Sequence, residues 1–275
     1  MDTGADPNEP TGKQPTLHAS IFDITQSVRE REFESGTADT GWICLCEDGC
    51  EYVIKDGVSK NSEPIVPHCE WFCTELSEAI QIAAPEHKIV RRIDETLVFG
   101  SRFVGGLIRS DAEAGHWYDL VKSGEIDLDN ISAVLSHIFA LDLFVFNYDR
   151  HKWNFLVQKI DSKYTIFAMD YSRAWLRTGF PLPPIPMSAG LNTIAHHRDL
   201  VRIWGRQYIA PAEIDHTLQK ILKIPKERIE RIINDHPQDW LSDSQKNAIL
   251  QWWGSAEFVS RLTAISEGVK DASCL

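Results

Sequence analysis

The sequence predicts an α+β fold in two parts, a strand-rich first hundred residues with one inserted helix and a mostly helical remainder. Three observations carry this reading. Trp42 to Cys46 and Glu51 to Lys55 read as strands on either side of Glu47-Asp48-Gly49, which is a hairpin pattern. Phe72, Leu76, Ala79 and Ile80 recur at helical spacing inside Cys69 to Ile82. From Gly105 onward the apolar spacing is that of helices.

The elements follow in order. Residues 1–17 are rich in Pro, Gly, Thr and Asp and have no apolar stretch, so they are expected to be a disordered tail and not a secretion signal. Ile21 to Ser35 is polar with sparse apolar positions and leads into a first strand. Pro85 ends the inserted helix, and His87 to Arg91 and Thr96 to Phe99 read as two further strands. Asp129 or Asn130 caps a long apolar helix through Ile131, Val134, Leu135, Ile138 and Leu141. That helix runs into the polar stretch Asn147 to Asn154. Phe155 to Val157 and Tyr164 to Met169 flank the turn Asp161-Ser162-Lys163 as short strands. Arg177 to Gly190 is too rich in proline for regular structure. Three helices are expected after it: one near Glu213 to Leu222, one from Pro225, and one after Ser242 with Gln245 completing a capping box.

Composition narrows the function. A chain of 275 residues and net charge −12 repels phosphate backbones, so direct nucleic-acid or anionic-membrane binding is not expected. No apolar run reaches the roughly 18 residues of a membrane span. The six cysteines lack a familiar zinc spacing, and a reduced, cytoplasmic state is expected for them.

The chemistry sits in the second part. Asp149 and Asn154 lie five positions apart in a polar loop between an apolar helix and a strand, and Asp170 ends the following hairpin. Phosphoryl transfer uses this set: one carboxylate orients the attacking hydroxyl, while an amide oxygen and a second carboxylate hold magnesium on the phosphates. Lys55 ends a strand of the first part and can meet phosphates, and Glu70 on the next helix, or Glu75 in its place, can pair with it. The turn Glu34 to Gly41, with Ser35, Gly36 and Thr37, can offer backbone amides to phosphates, although it matches no Walker pattern.

The run Phe146-Asn147-Tyr148-Asp149-Arg150-His151-Lys152-Trp153-Asn154-Phe155-Leu156 closely resembles the catalytic loop of HipA-like kinases, and more distantly the Asp-Arg-His-x-x-Asn loop of phosphatidylinositol kinases. Tyr52 to Lys55, the helix start at Glu70 and Phe99-Gly100-Ser101-Arg102-Phe103 resemble the same family, over roughly residues 33–175. The resemblance implies a two-lobed protein-kinase-like fold. Its β-rich N-lobe with one helix would span residues 18–104 and its helical C-lobe residues 105–275. It also implies ATP and magnesium as cofactors and a Ser or Thr hydroxyl of a protein as acceptor. Asp149 would be the catalytic Asp, Lys55 a phosphate ligand, Asn154 and Asp170 magnesium ligands, and Ser101, Arg102 and Phe103 the hinge beside adenine. It leaves room for a regulatory partner protein and for self-modification at Ser35, Thr37 or Thr40. Asp170-Tyr171-Ser172 departs from the Asp-Phe-Gly of ordinary protein kinases, as HipA-like kinases also do. A nucleotide-binding module without turnover and a lipid or small-molecule kinase stay as rival readings.

Other residues take supporting parts. Asp142, on the apolar helix, needs partners and is expected to find them in the backbone amides of the loop. Arg150 and His151 are expected to brace that loop, His196-His197 with Asp199 to form a polar helix start, and Trp252-Trp253 to pack in the core. Pro181 to Pro186 is either a stiff linker or a wall of the acceptor site.

Overall fold

The computed structural model describes residues 24–32, 41–58, 63–103, 121, 123–125, 128–160 and 163–274. The expected tail at 1–17 and the 104/105 boundary lie outside them.

Five strands come first: β1 (Ile24–Glu32), β2 (Trp42–Cys46), β3 (Glu51–Lys55), β4 (His87–Arg91) and β5 (Leu97–Arg102). They close a barrel in the order β1-β2-β3-β5-β4, antiparallel throughout except where β1 meets β4 with Ile24 opposite Ile89. The β2–β3 hairpin turns as expected. The Asp48 carboxylate accepts from Cys50 N at 2.9 Å and from the Tyr52 hydroxyl at 2.8 Å, and Gly49 takes φ +77°. Cys44, Cys46, Tyr52, Ile54, Val90 and Val98 pack together as a small apolar cluster. Gly100 permits that packing, because a Cβ there would stand 2.5 Å from Val90 Cγ2.

Between β3 and β4 lies α1 (Val66–Ala79), with Pro67 in its first turn. The helix begins and ends earlier than its apolar spacing suggested. It closes as a Schellman motif well before Pro85: Gln81 takes φ +67°, its N–H reaches Glu78 O at 3.0 Å, and Ile82 N reaches Ser77 O at 2.8 Å. The helix is buried against the C-terminal region. Phe72 stacks on Trp175 with ring centroids 4.3 Å apart, and Trp71 Nε1 donates to Ile232 O at 3.0 Å. Glu75 pairs with Arg228 at 2.9 Å.

α2 (Leu128–Phe144) is the central apolar helix. Asp129 and Asn130 lie in its first turn and not ahead of it, and the two residues directly before Leu128 are outside the described set. Its other end is a second Schellman closure: Phe146 takes φ +53° and Asn147 N donates to Asp142 O at 2.8 Å. This abrupt stop delivers Asn147 to Asn154 as a loop, followed by the hairpin of β6 (Phe155–Ile160) and β7 (Lys163–Ala168).

Five helices follow where three were expected: α3 (Asn192–Trp204), α4 (Pro211–Leu222), α5 (Lys226–Asn234), α6 (Asp243–Trp252) and α7 (Ala256–Lys270). Pro225 precedes α5 as its N-cap. Ser242 and Gln245 form the expected capping box on α6. Trp253 is buried and Trp252 packs against the same apolar core, which runs from α1 through α2 to α7. Burial of this kind is worth about 1.5–3 kcal/mol for each large side chain. Among the described residues no helix is long and apolar enough to cross a membrane.

Candidate active site

Lys55 lies next to Ile54 on β3, so its side chain leaves the opposite face of the strand from the barrel cluster. Its ammonium sits 3.1 Å from Asp170 Oδ1 and 3.6 Å from Glu70 Oε1. Lys55 and Glu70 are both buried. Burial alone would neutralise Asp170, but Lys55 and the Ser172 donors outweigh it and hold its carboxyl well below the usual carboxylate range. Glu70 goes the other way: burial, reinforced by Asp170 and opposed by Lys55, raises it to about 7. Its Oε2 accepts from Tyr171 N at 2.9 Å, which ties α1 to the residue after Asp170. Glu75, the alternative partner, is occupied by Arg228 and His87.

Asp170 occupies the left-handed region at φ +61°. Its Oδ1 also accepts from Ser172 Oγ at 2.7 Å and Ser172 N at 3.4 Å. Serine in the place of the usual glycine therefore supplies the bonds that hold this aspartate in its turn.

The loop ahead of the hairpin is organised around Arg150, which is fully buried. Its Nε and Nη2 donate to the two oxygens of Asp142 at 2.8 and 2.9 Å. Its Nη1 donates to Asn154 O at 2.9 Å and to Met169 O. The guanidinium lies 4.9 Å from the Tyr171 ring centroid and 5.4 Å from that of Phe155. One cation thus fixes both the last residue of the loop and the residue before Asp170. The carboxylate of Asp142 is met by Arg150 and by Asn147 Nδ2 at 2.9 Å, where backbone amides were expected. A fully buried carboxylate is better matched by a cation, and the nearby backbone N–H of Asn147 is spent on the Asp142 carbonyl.

Asn154 is buried, and its Nδ2 donates to Asp149 O at 3.2 Å, which leaves its Oδ1 as an acceptor. With the ionised Asp170 it offers two hard oxygens, the number magnesium needs when phosphates and water complete its shell. Asp149 is half-buried. Its N–H bonds Asn147 Oδ1 at 3.3 Å, and its Oδ1 accepts from Asn192 Nδ2 at 2.5 Å. His151 Nδ1 accepts from Trp153 N at 3.3 Å, and burial lowers its basicity despite the nearby Asp149.

Asn192 and Thr193 were not among the sequence candidates. Thr193, fully buried, donates to Asn147 O at 2.5 Å and accepts from Arg150 N at 2.9 Å. An Asn-Thr pair after a proline-rich stretch reads only as a helix start, and nothing in its spacing points back 43 residues. His196 and His197 lie inside α3 and not at its start; burial pushes the His196 imidazole down to about 3, and His197 packs 3.9 Å from Phe139 between ring centroids. Ser101 and Arg102 end β5, where Arg102 pairs with Glu86, and Phe103 N donates to Glu51 O at 2.7 Å. Ser35, Gly36, Thr37 and Thr40 lie outside the described residues.

Among curated proteins no sequence matches this chain. Among solved structures, the Helicobacter pylori proinflammatory kinase CtkA aligns with a TM-score of 0.55 at 14% identity, over 88% of this chain and 93% of that one. Shewanella oneidensis HipA, solved with HipB and operator DNA, aligns with a TM-score of 0.44 at 11% identity, over 82% of this chain and 60% of that one. The first likeness concerns the fold alone. A sequence profile described as HipA-like kinase matches residues 26–265, most of the length, and the chain accordingly belongs to the HipA-like kinase family.

Proposed function

We propose that the chain transfers the γ-phosphoryl group of magnesium–ATP to a Ser or Thr hydroxyl of a protein, between a first lobe at residues 18–104 and a second at 105–275. The observation that carries this reading is the position of Lys55, within 3.1 Å of Asp170 and 3.6 Å of Glu70, although these residues come from distant parts of the chain. A buried lysine between two carboxylates, one of them held ionised, is suited to exchanging a carboxylate for phosphate oxygens.

In this reading Asp149 orients the acceptor hydroxyl and takes its proton through the oxygen that Asn192 leaves open. Asn154 and Asp170 would hold the magnesium, which supplies charge neutralisation on the phosphates. Lys55 meets the phosphates, and Glu70 keeps Lys55 on the cleft side of β3. Arg150 holds Asn154 and Asp170 in fixed relation through the carbonyls of Asn154 and Met169. Ser101, Arg102 and Phe103 are assigned to the adenine side.

Calorimetric titration with ATP tests the nucleotide site. Magnesium is expected to tighten ATP binding to the parent protein. Asp170→Ala is expected to abolish that magnesium effect, and Lys55→Met to weaken binding tenfold or more, which is about 1.4 kcal/mol. ATP affinity in the parent protein that is indifferent to magnesium and to both substitutions would rule the assignment out.

A further inference from the structure

The helix α3 begins at the carboxylate assigned to proton abstraction. The segment before it is held from behind by Arg261, whose guanidinium donates to Phe144 O at 2.7 Å, Leu143 O at 2.8 Å and Pro183 O at 2.6 Å. The first two are terminal carbonyls of α2, the negative end of that helix. The proline-rich stretch is therefore pinned to the base of the loop that carries Asp149. Thr193 then bonds both sides of that loop, at Asn147 O and Arg150 N. With its neighbour locked in this way, Asn192 has its amide at Asp149 Oδ1, 2.5 Å away. A carboxylate oxygen accepts, so the amide nitrogen and not its oxygen faces Asp149. Asp149 Oδ2 accepts no hydrogen bond from the described residues.

We propose that Asn192 is a positioning residue for phosphoryl transfer, holding one oxygen of Asp149 so that the other is aimed at the acceptor hydroxyl. The inference rests on the kinase reading of Asp149. An amide suits the task because it donates without titrating and cannot compete for the proton. A carboxylate free to rotate about its terminal torsion would present its oxygens over a broad range, since that torsion is soft. Small misplacements of a reacting group cost up to about a hundredfold in rate.

The test uses phosphotransfer from ATP to a degenerate serine/threonine peptide library, together with ATP affinity, melting temperature and the NMR resonance of the Asn192 side-chain amide. Asn192→Ala is expected to lower kcat by about tenfold to a hundredfold, with ATP affinity and melting temperature unchanged. Asn192→Asp, which sets a like charge against Asp149, should lower it further, and Asn192→Gln should recover part of the loss. With Asn192 left intact, its amide resonance should move when Asp149 is changed to Ala, whether or not turnover occurs. Unchanged kcat in both Asn192→Ala and Asn192→Asp overturns the proposal and leaves the kinase reading standing. So does an amide resonance that ignores Asp149→Ala. A parallel fall in melting temperature and ATP affinity overturns it as well, because Asn192 would then brace the fold. Absence of transfer by the parent protein, with the amide signal still dependent on Asp149, overturns the kinase reading itself and this role with it.

Discussion

Replacing Arg150 with methionine removes the cation from a fully buried pair. Asp142 would keep only Asn147 Nδ2 as a donor, the Met169 carbonyl would lose its donor, and the Asn154 carbonyl would keep only Met169 N. Breaking a buried pair from one side costs about 3–5 kcal/mol, because the remaining charge is left without compensation. For a chain of this size 1 kcal/mol moves the melting temperature by roughly 2–4 °C, so a fall of roughly 6–20 °C is expected. The double variant Asp142→Leu with Arg150→Met removes both charges. It should lie above the sum of the two single losses by roughly 2 kcal/mol or more, the coupling expected for partners in direct contact. Thermal and urea denaturation of the four proteins measure this. A loss below about 1 kcal/mol in Arg150→Met, or strict additivity in the double variant, would refute the view that Arg150 holds the loop.

Two pH dependences follow from the ion pairs. Glu70 is raised to about 7 from an ordinary value of 4.5, so its contribution to stability is complete below pH 4.5 and is lost as pH rises through 7. Glu70→Gln should therefore gain on the parent protein between pH 4.5 and 8, by on the order of 3 kcal/mol, in paired melting curves. The absence of any pH trend in that difference would contradict the assignment. Burial works to lower the His87 pKa, but Glu75 and Glu78 outweigh it and raise the imidazole to about 9 from 6.5. Its contribution is complete below pH 6.5 and lost as pH rises through 9, so His87→Gln should flatten the alkaline side of the stability curve.

Local patterns in the sequence were enough to place β2, β3, the apolar helix before the loop, the hairpin after it and the Ser242 capping box, because each rests on neighbours a few residues apart. The meeting of Lys55 with Glu70 and Asp170 was legible for a related reason, since these residue types in this order suggest an ion-pair cluster, and the structure brings the three together. Contacts that depend on the fold left no such mark. Thr193 and Asn192 bond back across more than forty residues, and the buried partner of Asp142 turned out to be a side chain eight positions on. The end of α1 was misjudged because Gln81, a residue with no special preference for positive φ, takes the position where glycine is usual. α3 was expected only as a helix start at His196-His197 and begins four residues earlier, at Asn192, while α7 was hidden by the short Gly254-Ser255 break that separates it from α6.

The most direct test of the central claim is transfer of labelled γ-phosphate from magnesium–ATP by the parent protein and by Asp149→Ala, with ATP affinity measured on both. The expected result is a loss in transfer on the order of a thousandfold or more in Asp149→Ala, at nearly unchanged ATP affinity, because the proposed role of Asp149 is toward the acceptor hydroxyl and not the nucleotide. Transfer by Asp149→Ala at the rate of the parent protein would contradict the account.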